Sequence, residues 1–257
     1  MNLVLFSSLE ETNRPLNGKD ARAKSLLKNL KKTEGDFFEA GVLGGNTGTG
    51  RIKAVSPEGD VFFTLELTRP PKPLLPLRLG VGFPRPIQLR RLLRDASSFG
   101  AAQIDLLETE LGDENYRKTN LLKDGGAQAA INEGLVQSRG TSPPLLRVFD
   151  SLESWIKDAV FWSGPQQDAA REKNTYGGAL LAACDNARPS RSFSEIRRGF
   201  AAAVIAVGPE RGWSESERDA LEAGGFTLVS MGERALRTET ACISACALAA
   251  ERLASWR

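Results

Sequence analysis

Residues Ala203–Glu217 read AVIAVGPERGWSESE. The opening AVIAV is an unbroken apolar run of strand length, and Gly-Pro stops it. Five residues later, Ser214 and Glu217 stand in the S-x-x-E spacing of a capping box, which predicts a helix starting at about Glu215. The free N–H groups of that helix then point back at the Gly208–Gly212 loop. The helix should stop at Gly224-Gly225, and FTLVS at Phe226–Ser230 reads as another strand. A second glycine-bearing loop, MGERALRTET, follows it. Strand, polar loop and helix in succession argue for an α/β fold, whose ligands bind at the C-terminal ends of the strands.

The same alternation extends upstream. ALLAAC at Ala179–Cys184 is an apolar strand running into the polar turn DNARPSRS. IQLRRLLRDASSFG, from Ile87, carries Leu89, Leu92 and Leu93 between basic residues and ends on Gly100 as a helix would. AQIDLLETE reads as the next strand, and NLLKDGGAQAAINEGLVQ and SLESWIKDAVF read as helical. ACISACALAAERLASW is a final helix of small residues, and Thr238 is expected to cap it. Before all of these, TRPPKPLLPLRLGVGFPRP at Thr68–Pro86 reads as a proline-rich connection, and the domain boundary is placed within it. The residues ahead of it have a different texture. DARAKSLLKNLKK is a short basic helix with Ala23, Leu26, Leu27 and Leu30 on one face, and FFEAGVLGG, GRIKAVSP and VFFTLELT are short strands, together suggesting a small β-barrel. GNTGTGRI lies between two of those strands and carries Arg51 and Ile52 where a phosphate-binding loop has Lys and Ser/Thr, so it reads as a hairpin turn.

The chain has 257 residues, 41% apolar and 26% charged, which is ample for one or two globular domains. Its apolar runs are too short to span a bilayer, and its N-terminus lacks a leader pattern, so the expected location is the cytoplasm, away from membranes. No histidine is present, which excludes Ser-His-Asp and Cys-His catalysis. Three cysteines, Cys184, Cys242 and Cys246, cannot all pair, and without histidine they make no common zinc site; reduced structural thiols and no metal are expected. Cys242 and Cys246, one helical turn apart, suggest close packing at a dimer interface. The net charge is only +2, so nucleic-acid binding would depend on local patches, and two exist: Arg22 to Lys32, and Lys72 to Arg94.

VGPERGWSESE, taken with LVSMGERALRTETA at Leu228–Ala241, resembles the paired C-terminal signature of the 16S ribosomal RNA uracil-N3 methyltransferase family, of the SPOUT class. QSRG at Gln137–Gly140 and the barrel-helix-proline layout resemble it more loosely. The resemblance implies a small PUA-like β-barrel RNA-binding domain over residues 1–70 and a trefoil-knotted α/β methyltransferase domain over 71–257, working as a homodimer on ribosomal RNA or the small ribosomal subunit. It implies S-adenosylmethionine as cofactor, held by Cys184, Gly208, Pro209, Glu210, Gly212, Met231, Gly232, Ala235, Leu236 and Arg237. Methyl transfer to uracil N3 needs a proton removed and an anion stabilised. Arg237 is the expected electrostatic element, and Asp185, Glu239 and Glu210 are the carboxylates from which a base would come. Lys24, Lys28, Arg90, Arg94 and Arg139 are expected to meet RNA phosphate. The chain departs from the family pattern at Arg211, in place of a glycine, and at Ser98, in place of a glutamate. A second reading therefore keeps the fold and RNA binding without turnover, or with another RNA target.

Overall fold

The computed structural model describes residues 2–162 and 178–255, so the predicted end of the last helix at Trp256 lies outside the described residues. The chain divides into two compact units, residues 1–73 with 131–143, and residues 74–130 with 144 onward.

The first unit is built on a four-stranded sheet in the order β1 (Val4–Phe6), β2 (Phe37–Val42), β3 (Thr47–Val55), β4 (Val61–Arg69). β1 runs parallel to β2 and the other pairs are antiparallel. Phe6, Leu16, Ala23, Leu26, Phe38, Ile52 and Val61 form its core. Gly50 is required there, because a Cβ on it would lie 2.2 Å from the Phe38 ring. Of GNTGTG, Gly45 and Asn46 lie in the β2–β3 hairpin turn, and Thr47–Gly50 already belong to β3. The expected barrel is not closed: among the described residues β1 and β4 are the two edges of an open sheet. The outer edge of β4 is met at Val61 by Leu16, and not by β1. The basic segment forms α1 (Ala21–Lys24), capped by the Asp20 carboxylate, and continues as one wide turn over Ser25–Asn29. That wide turn rotates the apolar face, so Ala23 and Leu26 are buried while Leu30 is left exposed.

The second unit is a seven-stranded parallel sheet in the order β7-β6-β5-β10-β8-β11-β9. Its strands are β5 (Leu75–Gly82), β6 (Ala101–Leu107), β7 (Leu145–Phe149), β8 (Ala179–Cys184), β9 (Arg191–Ser192), β10 (Ala202–Val207) and β11 (Thr227–Ser230). Between them lie α2 (Pro86–Phe99), α3 (Glu114–Arg117), α4 (Gly126–Ser138), which runs on into the first unit, α5 (Leu152–Trp162), α6 (Glu215–Ala223) and α7 (Thr238–Arg252). The expected α/β class is observed. β10 is buried at all six positions, as its continuous apolar run requires of a central parallel strand.

β5 corrects the reading of Thr68–Pro86 as a plain connection. Leu77, Leu79 and Val81 are fully buried between β6 and β10. Pro76, which can donate no hydrogen bond, falls where the register against β6 shifts between Leu75 and Arg78. Gly80 makes room for Trp155, whose ring lies 2.3 Å from where a Cβ would stand. Beside it, the fully buried Arg78 pairs with Asp105 and Asp158, and the Trp155 indole N–H donates to Asp105 at 2.7 Å. α7 packs on α2, β10 and β5. Cys242 and Cys246 are accordingly sealed by their own chain, not left at a surface for a partner, and burial pushes the Cys246 thiol up to about 12. Arg237, with extended backbone, is the N-cap residue of α7; Thr238, expected in that role, is already its first helical residue.

Candidate functional site

β5, β6 and β7 extend to one side of β10, and β8, β11 and β9 to the other. The loops leaving β10 and β8 start at this switch point, where the crevice of an open parallel sheet forms. The β10 loop is a tight turn in which the Gly212 N–H donates to the Pro209 carbonyl at 2.9 Å. Gly212 has a φ of +72°, a conformation that costs any side-chain-bearing residue free energy. Pro209 packs against the end of β5 because residue 82 is glycine; a Cβ there would meet the proline ring at 2.6 Å. The buried Trp213 donates its indole N–H to the Cys184 carbonyl at 3.0 Å, tying the loop to the end of β8. Ser214 and Glu217 then close the expected capping box. The buried Glu217 carboxylate also accepts the Glu110 N–H at 2.8 Å, and its burial raises its pKa.

The neighbouring α6 residue, Arg218, lines the same cavity as the strand-end loops and was not anticipated from the sequence. Its guanidinium lies 3.0 Å from the Asp185 carboxylate, which also accepts the Arg188 N–H at 2.7 Å. Burial pushes the Asp185 pKa up, but the bonds from Arg218 and Arg188 outweigh it, and the group is held below the usual carboxylate range. Asp185 is thus a brace for the β8 loop and a weak proton acceptor. The pair is separated by 33 residues, and nothing in the local pattern of either segment announces it.

The loops after β8, β10 and β11 enclose a cavity of about 270 Å³, near the lower end of small-molecule sites. Of the residues expected around a cofactor, Cys184, Gly208, Pro209, Glu210, Gly212, Met231, Ala235 and Leu236 line it. Asp185, Arg211, Arg218, Arg234 and Thr238 line it too. Cys184 and Met231 bring their sulfurs to 3.9 Å, and burial pushes the Cys184 thiol up to about 12, so it stays protonated and apolar. The Glu210 carboxylate lies 3.6 Å from Arg85 Nε. Gly232 and Arg237 are exposed and do not line the cavity, nor does Glu239, which is half-buried with one carboxylate oxygen lacking a hydrogen-bond partner. Lys24, Lys28, Arg90, Arg94 and Arg139 are all exposed, and Arg139 has a φ of +57°. Arg90 and Arg94 lie one turn apart on α2, and Arg94 bonds Asp95. A larger cavity, about 440 Å³, has Glu108, Glu110, Asp113, Glu114, Asp150 and Glu153 in its wall together with Lys118 and Arg117, the latter paired with Glu108 and Asp150, so acids predominate and the lining is a poor match for phosphate.

Residues 70–250 match the family model described as RNA methyltransferase domain. The chain is 36% identical over 259 residues to ribosomal RNA small subunit methyltransferase E of Treponema pallidum, with 100% of this chain and 93% of that protein covered. It is 28% identical to ribosomal RNA small subunit methyltransferase E 1 of Borreliella burgdorferi, covering 98% and 99%. Among solved structures it is similar to a probable rRNA-methyltransferase from Porphyromonas gingivalis (TM-score 0.70, 20% identity, 100% of both chains). It is also similar to a ribosomal RNA small subunit methyltransferase E from Neisseria gonorrhoeae bound to S-adenosyl methionine (TM-score 0.68, 20% identity, 96% and 95%).

Proposed function

This chain belongs to the RNA methyltransferase domain family, and from that premise we propose that it transfers a methyl group from S-adenosylmethionine to N3 of a uridine in small-subunit ribosomal RNA. The observation that carries this reading is the convergence of three strand-end loops on one cavity, at the switch point of a parallel sheet. The names of its relatives supply the substrate class, and the resemblance of GPERGWS and LRTETA to the uracil-N3 family supplies the atom.

The cavity suits the cofactor chemically. Val207, Pro209, Met231, Ala235 and Leu236 offer an apolar lining for an adenine ring, and the uncharged Cys184 thiol adds to it. Gly212, whose absent Cβ would meet nothing within 4 Å, leaves the backbone open to close approach. Bound S-adenosylmethionine supplies an electrophilic methyl on a sulfonium centre. The protein's share is to hold the uracil, keep water out and stabilise the anion at N3 and its flanking carbonyls. Arg237 is suited to the last task, because its side chain makes no cap bond and stands at the positive end of the α7 dipole. Glu210 is the better candidate for proton acceptor, since the Asp185 carboxylate is engaged by Arg218. Glu239, in the first turn of α7, would help orient Arg237. In the same reading the first unit is a PUA-like RNA grip, Lys24, Lys28, Arg90, Arg94 and Arg139 hold phosphate, the C-terminal segment is knotted, and two copies act together.

Two measurements test the proposal. Calorimetry with S-adenosylmethionine should show one saturable site, and absence of binding at millimolar ligand overturns the cofactor. Mass spectrometry of ribosomal RNA from cells with and without the gene should show loss of an N3-methylated uridine. Loss of a different methylated nucleoside would keep the enzyme and correct its target.

A further inference from the structure

We propose that the groove along the free edge of β4 holds a single-stranded nucleotide of the substrate RNA, its base stacked on Phe62. This rests on the reading that the substrate is RNA, and adds to it a defined subsite in the first unit.

Val61 exchanges two hydrogen bonds with Leu16, donating to its carbonyl at 2.8 Å and accepting from its N–H at 3.0 Å. Backbone direction alternates along a strand, so Phe63 and Leu65 present their N–H and C=O groups to that same outer side. β3 does not take them: Ile52, opposite Phe63, donates its N–H to Asp36 and accepts the Gly35 N–H. Beyond Leu16, the edge therefore carries a row of alternating donors and acceptors.

The side chains complete the site. Phe63 and Leu65 turn inward onto the core, while Phe62 is 45% exposed and Thr64 is exposed. Opposite them, Thr12, Asn13 and Arg14 form the other wall of a groove of about 440 Å³. An unstacked base needs an aromatic face, hydrogen-bonding groups along its edge and a cation for its phosphate. Phe62, the β4 backbone with the Asn13 amide, and Arg14 provide these. An extended peptide could also pair with a free strand edge, but the charge nearby favours a polyanion. Arg51 and Lys53 are exposed on β3, with Arg51 over the Phe37 ring at 5.7 Å, and the nearby Glu39 is paired with Arg69. Of the carboxylates beside the Thr12–Arg14 wall, Glu11 is paired with Arg22 and Glu10 is exposed, and the exposed Glu66 lies further along β4. Phe37 stands opposite Arg51 and Phe62 opposite Ala54, which sets the two exposed aromatics apart by three residues and two strands, about 10 Å in each direction. That is room for two splayed bases and no fit for stacked ones, so duplex RNA should not use the groove.

The test titrates the full-length protein with a short fluorescent single-stranded RNA of mixed sequence and with a duplex of the same length. Phe62→Ala should weaken single-strand binding about tenfold and duplex binding hardly at all, and Phe62→Tyr should restore it. Arg14→Ala should lessen the salt dependence by about one phosphate contact. Ultraviolet cross-linking of the same RNA should mark the peptide containing Phe62. Equal single-strand binding by the wild type and Phe62→Ala, or cross-links confined to other peptides, overturns the subsite and leaves the methyltransferase reading standing. Cross-links from this groove to a ribosomal protein in place of RNA also overturn it. A wild type that binds S-adenosylmethionine but neither RNA probe nor ribosomal subunits overturns the RNA reading itself.

Discussion

Arg218 and Asp185 show how much one side chain can decide. Removing the guanidinium leaves a carboxylate that is almost fully buried with no counter-charge, so Arg218→Ala should destabilise the protein by about 3–5 kcal/mol in chemical denaturation. The pH dependence has a definite sign. The Asp185 pKa is lower in the folded chain, so its contribution is fully present above the unfolded value of about 4 and is lost as the pH falls through the folded value. Denaturation at a series of acidic pH values should show this loss in the wild type and a flatter profile in Arg218→Ala. A residue-scale test of the loop is Gly212→Ala, which should cost about 1–2 kcal/mol through its positive φ alone. Little of this was legible beforehand. Gly212 could be marked as a turn residue, but the Arg218–Asp185 pair and the Trp213 bond to Cys184 join segments that only the folded sheet brings together.

Among the elements, those with local signals were the readable ones. The β10–α6 segment announces itself through an apolar run, a Gly-Pro stop and a capping box, and α2 through Leu89, Leu92 and Leu93 and Gly100 at its end. β5 was hidden because its prolines suppress the strand pattern, although Pro76 sits where the register shift tolerates it. β7 was hidden because it is a sheet edge with Leu145 and Val148 exposed, so no alternation marks it. The open edge of the N-terminal sheet could not be foreseen, since closure depends on which strands meet across the unit. α6 makes the element-scale prediction. Ser214→Ala removes the cap bond and should cost about 1 kcal/mol of stability. Because the capped turn adjoins the Gly208–Gly212 loop, the same variant should weaken S-adenosylmethionine binding in calorimetry more than Ala223→Ser at the exposed far end of α6.

At the scale of the molecule, the parallel sheet is held by the apolar core around Trp155 and by the buried Arg78–Asp105 pair, which the partly exposed Asp158 joins from outside. Asp105→Ala leaves Arg78 with only its outer partner and should lower stability by about 3–5 kcal/mol, read as a shift of the denaturation midpoint. The strand order has a further consequence for how the chain comes into being. β10 lies between β5 and β8, so Leu77 meets its partner Ala203 only after most of the chain has been made. During synthesis from the N-terminus, β5 and β6 can pair early, but the slot beside β5 stays empty until Val207 has left the ribosome. A nascent chain of this protein therefore carries a bare apolar strand edge for nearly half of its elongation, and its dependence on chaperones should peak in that interval.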